Sequence, residues 1–166
     1  MKTIISSIIA LMLGCNIASA QMIKADLQVA GLTCSMCSRS VDKSLRTLDF
    51  IDSVGIDLSH ASFILFFKKN KTVDFTQIKK KVQDAGFFVA SLKINYKFDN
   101  LKIESNSTFN YQNMTFYFLT TMAKTLNGTV IFRIVNKGFV SDKEYKKYAN
   151  QLNETTSSGV IYHVVL

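Results

Sequence analysis

The order of hydrophobic periods between Ala25 and Ile94 restricts the fold more than any other feature of this 166-residue chain. Asp26 to Ala30 alternates, with Leu27 and Val29 on one side, which is the period of a half-buried strand. Cys37, Val41, Leu45 and Leu48 then recur at helical spacing. Ile51 to Leu58 reads as a second strand, Leu58-Ser59-His60-Ala61 as a turn, and Ser62 to Lys68 as a third strand. Asp74, three residues before Gln77, marks a capped helix start, and Phe75, Ile78, Val82 and Ala85 share that helix's apolar face. Gly86 is a helix stop, and Phe88 to Ile94 gives a fourth strand. A βαββαβ order with repeating halves predicts a ferredoxin-like sandwich, both helices on one face of a four-stranded sheet. About seventy residues suffice to bury such a core.

Beyond Ile94 the periods shorten and Asn, Thr and aromatic residues rise. Leu101 to Glu104, Met114 to Thr120 and Gly128 to Asn136 read as strands, the last with Val130, Phe132 and Ile134 on one face. Ser141 followed by Glu144 forms a capping box ahead of a helix carrying Tyr145, Tyr148 and Leu152, and Val160 to Leu166 closes the chain as a strand. The expected fold class is therefore α+β throughout: a ferredoxin-like βαββαβ domain at 21–95 and a small β-rich α+β domain at 96–166, with a partly open barrel as one arrangement of the latter. The junction at Asn95 to Asn100 is not rich in Gly or Ser, so no long flexible tether is expected.

Residues 1–20 are expected to be an export signal: Lys2, a short apolar run from Ile4 to Leu13, and an Ala18-Ser19-Ala20 cleavage site. The run falls short of the roughly 20 apolar residues that span a bilayer, and no later stretch qualifies. Met12-Leu13-Gly14-Cys15 offers a competing lipoprotein site at Cys15. Either way the expected location is outside the cytoplasm, most simply a periplasm. The net charge of +8 is spread over solvated faces, such as Lys79 to Lys81, without the aromatic interleaving of a nucleic-acid binder. Asn-x-Ser/Thr sequons stand at Asn106, Asn113, Asn127 and Asn153.

Once the signal is removed, Cys34 and Cys37 are the remaining thiols. A pair three residues apart closes too small a loop to staple a fold, so it is there for chemistry. Cys-x-x-Cys serves soft-metal sites and thioredoxin-like redox sites alike. A thioredoxin fold needs a longer chain and usually an aromatic residue ahead of the first cysteine, whereas Gly31-Leu32-Thr33 precedes Cys34 here.

Residues 25–94 resemble the heavy-metal-associated domain of copper chaperones, metal-transporting P-type ATPases and periplasmic mercuric-ion-binding proteins. The family's Gly-Met-Thr-Cys-x-x-Cys stands here as Gly31-Leu32-Thr33-Cys34-Ser35-Met36-Cys37, and its Asp-x-Gly-(Phe/Tyr) loop as Asp84-Ala85-Gly86-Phe87. Leu32 replaces the usual Met at similar volume, and the resemblance implies that it packs beneath the metal loop. The resemblance also places Phe87 beside that loop and implies a metal-transporting ATPase or another metal carrier as partner.

The expected function is capture and transfer of Cu(I), without catalysis, through Cys34 and Cys37, with periplasmic capture of Hg(II) as the alternative. Two thiolates suit linear Cu(I) or Hg(II), and Zn(II) or Cd(II) less well, since a closed zinc site normally takes four ligands. The other class of function is a thiol–disulfide or interaction module using the same pair. Met36 is expected to face solvent, His60 to be an exposed turn residue and His163 a satisfied, partly buried one. Met114 and Met122 are too isolated for a methionine relay. Residues 96–166 contain no hydrolase triad, phosphate loop or carboxylate pair.

Overall fold

The computed structural model describes residues 21–152 and 160–166. The expected signal at 1–20, with Cys15, and the sequon at Asn153 lie outside the described residues. The elements run β1 (Gln21–Ala30), α1 (Ser35–Leu45), β2 (Ile51–Asp57), β3 (Ser62–Phe67), α2 (Phe75–Asp84) and β4 (Phe88–Ile103). They continue with β5 (Thr108–Tyr111), β6 (Met114–Phe118), β7 (Lys124–Ile134), α3 (Asp142–Tyr148), a short 3-10 turn at Ala149–Gln151, and β8 (Val160–Val165).

The first six elements form the expected ferredoxin-like unit. On β1, Ala25, Leu27 and Val29 are buried while Gln28 and Ala30 are exposed, so the alternation of the sequence becomes the two faces of a sheet. Val41 and Leu45 of α1, and Ile78 and Val82 of α2, are buried with Phe63, Leu65, Leu92 and Ile94 of the sheet in one core. Each such side chain contributes about 1.5–3 kcal/mol relative to exposure. The Ser44 hydroxyl donates to the Lys81 carbonyl at 3.0 Å and ties the two helices together. Asp74 caps α2 as the sequence predicts, accepting from the Thr76 and Gln77 amides at 2.8 and 3.3 Å.

The later strands join the same sheet, in the order β2-β3-β1-β4-β7-β8-β6-β5. The division expected at 95/96 falls inside β4, a 16-residue strand. Residues 93–97 of β4 pair with β1 on one side and β7 on the other. The segment expected as a separate strand at Leu101 to Glu104 is the end of β4, beyond a register shift where Asn100 takes φ 49°. Among the described strands β2 and β5 are the two ends of one eight-stranded sheet and do not pair with each other, so no closed barrel forms. Strand β5 is an addition to the sequence reading. Ser141 caps α3 through its hydroxyl, which accepts from the Glu144 amide at 3.3 Å.

An aromatic cluster fastens this extension to α2. Phe116 lies with its ring centroid 4.8 Å from Phe109, 5.3 Å from Phe132 and 6.2 Å from Phe75, the first residue of α2. Phe75 also meets Tyr162 at 5.3 Å, edge to face. In the β5–β6 turn, the Gln112 side chain accepts from the Val73 amide at 2.9 Å and donates to the Lys71 carbonyl at 3.1 Å. The extension thus grips α2 at its N-terminal end. The C-terminal end of α2 leads through Gly86 to Phe87.

Candidate metal site

The loop between β1 and α1 needs a reversal that only glycine makes cheaply. Gly31 takes φ +89°, in the left-handed region, and turns the chain out of the strand. Leu32 then folds back, half-buried against the core, as expected for a residue filling the place of Met. Cys34 is extended (φ −148°, ψ 156°) and is itself the N-cap of α1: its Sγ accepts from the Cys37 amide at 3.2 Å. The Cys34 carbonyl accepts from the Ser38 amide at 3.2 Å, which closes the first turn. A cysteine therefore holds the place that Ser, Thr, Asp or Asn normally fills.

This placement has an electrostatic consequence. Unpaired N–H groups at a helix start carry roughly half a positive charge and favour an anion there. No acidic residue stands in the first turn of α1 to compete for it. A thiolate is the metal-binding form of cysteine, so the site stabilises the state that binds. The two Cα atoms are 5.3 Å apart, and in this structure Cys34 and Cys37 are joined as a disulfide. Cys34 is exposed and Cys37 half-buried. Once reduced, the same two sulfurs would offer two soft donors on one turn, a set suited to an ion of low coordination number. Among the described residues no group of three His, Cys, Asp or Glu side chains gathers to form a site of higher coordination.

The surroundings are apolar on one side and mixed on the other. Phe87 packs half-buried against the core, and a Cβ at position 31 would lie 3.6 Å from its Cδ1 atom. The expected neighbourhood of Phe87 and the cysteine loop is therefore present. On the other side, a cleft of 220 Å³ separates the loop from the β2–β3 turn, lined by Leu32, Cys34, Ser38 and Leu58 among others. That turn is moored where the Val29 amide donates to the Ala61 carbonyl at 3.1 Å.

Other residues singled out by sequence fall away from the cysteines' chemistry. Met36 is 68% exposed and faces solvent as expected. His60 sits exposed in its turn, its Nδ1 2.8 Å from Asp57 Oδ2. The Ser59 hydroxyl, then His60, hold the Asp57 carboxyl down to about 2. His163 is 2% exposed; its amide donates to Asn136 Oδ1 at 2.6 Å, and its ring lies 5.3 Å from Tyr117. Burial lowers its pKa. Met114 is buried and Met122 exposed, so neither relays an ion to the loop. The feature that sequence reasoning missed is the N-cap role of Cys34. The signal for it was legible, since Cys34 immediately precedes the helical period at the position of a cap.

Comparison with known proteins agrees with this geometry. The heavy-metal-associated domain family matches residues 26–88. A probable copper-transporting ATPase of Arabidopsis thaliana is 40% identical over 65 residues, which are 39% of this chain and 6% of that protein. A probable copper-exporting P-type ATPase of Archaeoglobus fulgidus is 33% identical over 64 residues, or 38% of this chain and 8% of that one. The chain thus spans less than a tenth of the length of these relatives. Among solved structures, the CopZ metallochaperone shares 25% identity over 40% of this chain and 98% of its own, with a TM-score of 0.37. The order βαββαβ, the capped cysteine loop and the family match converge on one assignment: residues 26–88 are a heavy-metal-associated domain.

Proposed function

We propose that this protein binds and hands on Cu(I) through the reduced thiols of Cys34 and Cys37. The observation that carries the reading is the position of the pair. Both sulfurs sit on the first turn of α1, one of them capping it, with Cys34 open to solvent. Two thiolates complete the linear coordination of Cu(I), and an exposed turn lets a partner's thiolates enter before these leave. Transfer by ligand exchange asks for no acid, base or nucleophile, so the function is carriage and not catalysis. Phe87 beside Gly31 supports it by keeping one side of the loop apolar.

Copper is favoured over Hg(II), Zn(II) and Cd(II) because the relatives matching this segment at 33–40% identity are named for copper transport. The partner we propose is a metal-transporting ATPase or another metal carrier, which would meet the same exposed loop. The apolar run and Ala18-Ser19-Ala20 support export, most simply to a periplasm.

The test is an equilibrium titration of the fully reduced chain with Cu(I) against a chromophoric chelator, repeated with Hg(II), Zn(II) and Cd(II). One equivalent of Cu(I) is expected, with binding lost in the Cys34→Ser/Cys37→Ser double variant. Binding unchanged in that variant would sink the reading, and tighter binding of Hg(II) that excludes Cu(I) in competition would change its metal.

A further inference from the structure

The face of the sheet turned away from α1 and α2 holds a cavity that the cysteine loop does not share. Leu27, Phe63 and Leu92 point into the core, so alternation turns their strand neighbours the other way. Across β3, β1 and β4, Ile64, Asp26 and Lys93 stand in one row, and Ser62, Gln28 and Ser91 in the next. Both rows line a cavity of 390 Å³, together with Ile131 of β7 and with Asp57 and His60 at the β2–β3 turn. Small-molecule sites commonly have volumes of roughly 300–1,000 Å³.

The polar groups of this cavity divide into those already paired and those left over. Asp26 accepts from the Asn95 amide at 2.7 Å and lies 3.4 Å from Lys24 Nζ. Asp57 accepts from the Ser59 hydroxyl and main-chain amide and faces His60 Nδ1 at 2.8 Å. Both carboxylates are thus engaged within the protein. Ser91 is 7% exposed, and its Oγ has no hydrogen-bond partner. Lys93 is exposed and enters no ion pair among the described residues. A buried hydroxyl left unpaired costs about 1–3 kcal/mol, a penalty that a ligand supplying the partner removes.

From this division we infer that the cavity is a binding site for a small aliphatic carboxylate, held by the Lys93 ammonium and the Ser91 hydroxyl. A carboxylate brings two acceptor oxygens and no donor, which suits a cation and a hydroxyl two residues apart on one face of β4. The Ser62 hydroxyl and the Gln28 amide offer further donors in the row of Ser91. An amine would instead meet carboxylates that already have partners, and the charge of Lys93 would repel it. The aliphatic tail would cover Ile64 and Ile131, the latter 51% exposed. The site stands apart from the metal-binding reading, because none of these residues lines the cleft beside Cys34.

The experiment titrates the isotope-labelled full chain at low salt with butyrate and, in parallel, with butyramide, butylamine and sodium chloride. Amide resonances of Gln28, Ser62, Ser91 and Lys93 should shift saturably with butyrate, at a Kd of about 1–10 mM. The other three probes should bind at least about tenfold more weakly, since they lack either the charge or the two acceptor oxygens. No saturable shift below about 100 mM butyrate, or equal shifts with any of the other probes, overturns the site.

Two variants assign the roles. Lys93→Met should weaken butyrate binding about tenfold, and an unchanged Kd overturns the part given to the ammonium. Ser91→Ala should weaken it about threefold or more while leaving stability in urea, without ligand, unchanged or raised, because an unpaired buried group is removed. Stability lost with butyrate binding kept would show a hydroxyl that serves the fold and overturns its assignment to the ligand.

Discussion

The ferredoxin-like unit and the extension that follows β4 are built to different rules. In the first, apolar residues recur at fixed periods and the core forms between two helices and a sheet: Val41, Leu45, Ile78 and Val82 meet Leu27, Leu65 and Ile94. In the second, α3 carries no buried residue, and the packing is aromatic, with Phe98, Phe109, Phe116, Phe118 and Phe132 in mutual ring contact. The first unit presents the cysteines on a loop. The second grips α2 at the end away from that loop, through Phe75 and Tyr162. A module of this kind can be complete with four strands, so the extension here is an attachment to a shared strand and a shared helix. It teaches that β4 and α2 are the elements through which a change in one region can reach the other.

The largest expected effect tests whether the two regions stand or fall together. Phe116 is fully buried and touches Phe75 of α2 as well as its own neighbours. Phe116→Ala should cost about 3–5 kcal/mol, the range for truncating a buried aromatic. Denaturant unfolding would be followed by hydrogen exchange at amides of each region, those of the buried Val41 and Leu45 in α1 and of the buried Phe132 and Ile134 in β7. One transition moving in both signals would mean that the regions unfold as a unit. Loss of protection in β7 alone, with the α1 amides still protected at the old midpoint, would separate them.

This difference in construction also explains what could be read from sequence. Strict periods with capped ends made the first six elements legible: Asp74 marks the start of α2, Gly86 its end, and Leu27 and Val29 the inner face of β1. The end of β4 was harder. Tyr96 and Phe98 are buried and Lys97 and Asp99 exposed, so the alternation continues past Ile94. Asn95, Asp99 and Asn100 nonetheless give the stretch the composition of a loop. Asn95 is buried because its amide donates to Asp26 Oδ2 at 2.7 Å, a partner 69 residues away that no local period reveals. Strand β5 has only four residues, too few to show a period, and is held by pairing with β6. The cysteine pair was legible because its chemistry is local to four residues. Its oxidation state depends on bonding between the two sulfurs, which spacing alone leaves open.

Glycines with positive φ sharpen the contrast at a second level. Gly31 in the cysteine loop has φ +89° and Gly128 in β7 has φ +70°, and in neither case would a Cβ clash with a neighbour. Alanine at either site should cost about 1–2 kcal/mol, from the conformation itself. The stability losses should be alike in urea titrations, while Cu(I) affinity of the reduced protein should fall only for Gly31→Ala. A comparable affinity loss in Gly128→Ala would show that strain in the extension is transmitted to the loop.

A smaller effect is expected at the seam. Gln112 makes two hydrogen bonds to the backbone at Lys71 and Val73, but it is exposed and water can replace much of what it provides. Gln112→Ala should cost about 1 kcal/mol. Hydrogen exchange should quicken at the Val73 amide, which loses its acceptor, before it quickens in the sheet. Unchanged exchange there would show that the turn is held by its aromatic neighbours and that the seam does not depend on this side chain.

The smallest effect separates the regions by pH. Burial lowers the pKa of His163 in the extension, so the folded state favours the neutral ring. The unfolded chain titrates near the ordinary value of about 6.5. As pH falls through that value the unfolded state takes up a proton that the folded state resists, and stability declines until the folded pKa is also passed. Above about 6.5 both states are neutral and the contribution is complete. His163→Gln should flatten the slope of stability against pH on the acid side of this value while leaving Cu(I) binding unaltered. Asp57 works in a lower window. Its carboxyl, held down to about 2 by Ser59 and then His60, favours the folded state above the usual carboxylate range and ceases to do so as pH falls through about 2. A slope near pH 6 that persists in His163→Gln would show that burial of this ring is not its source.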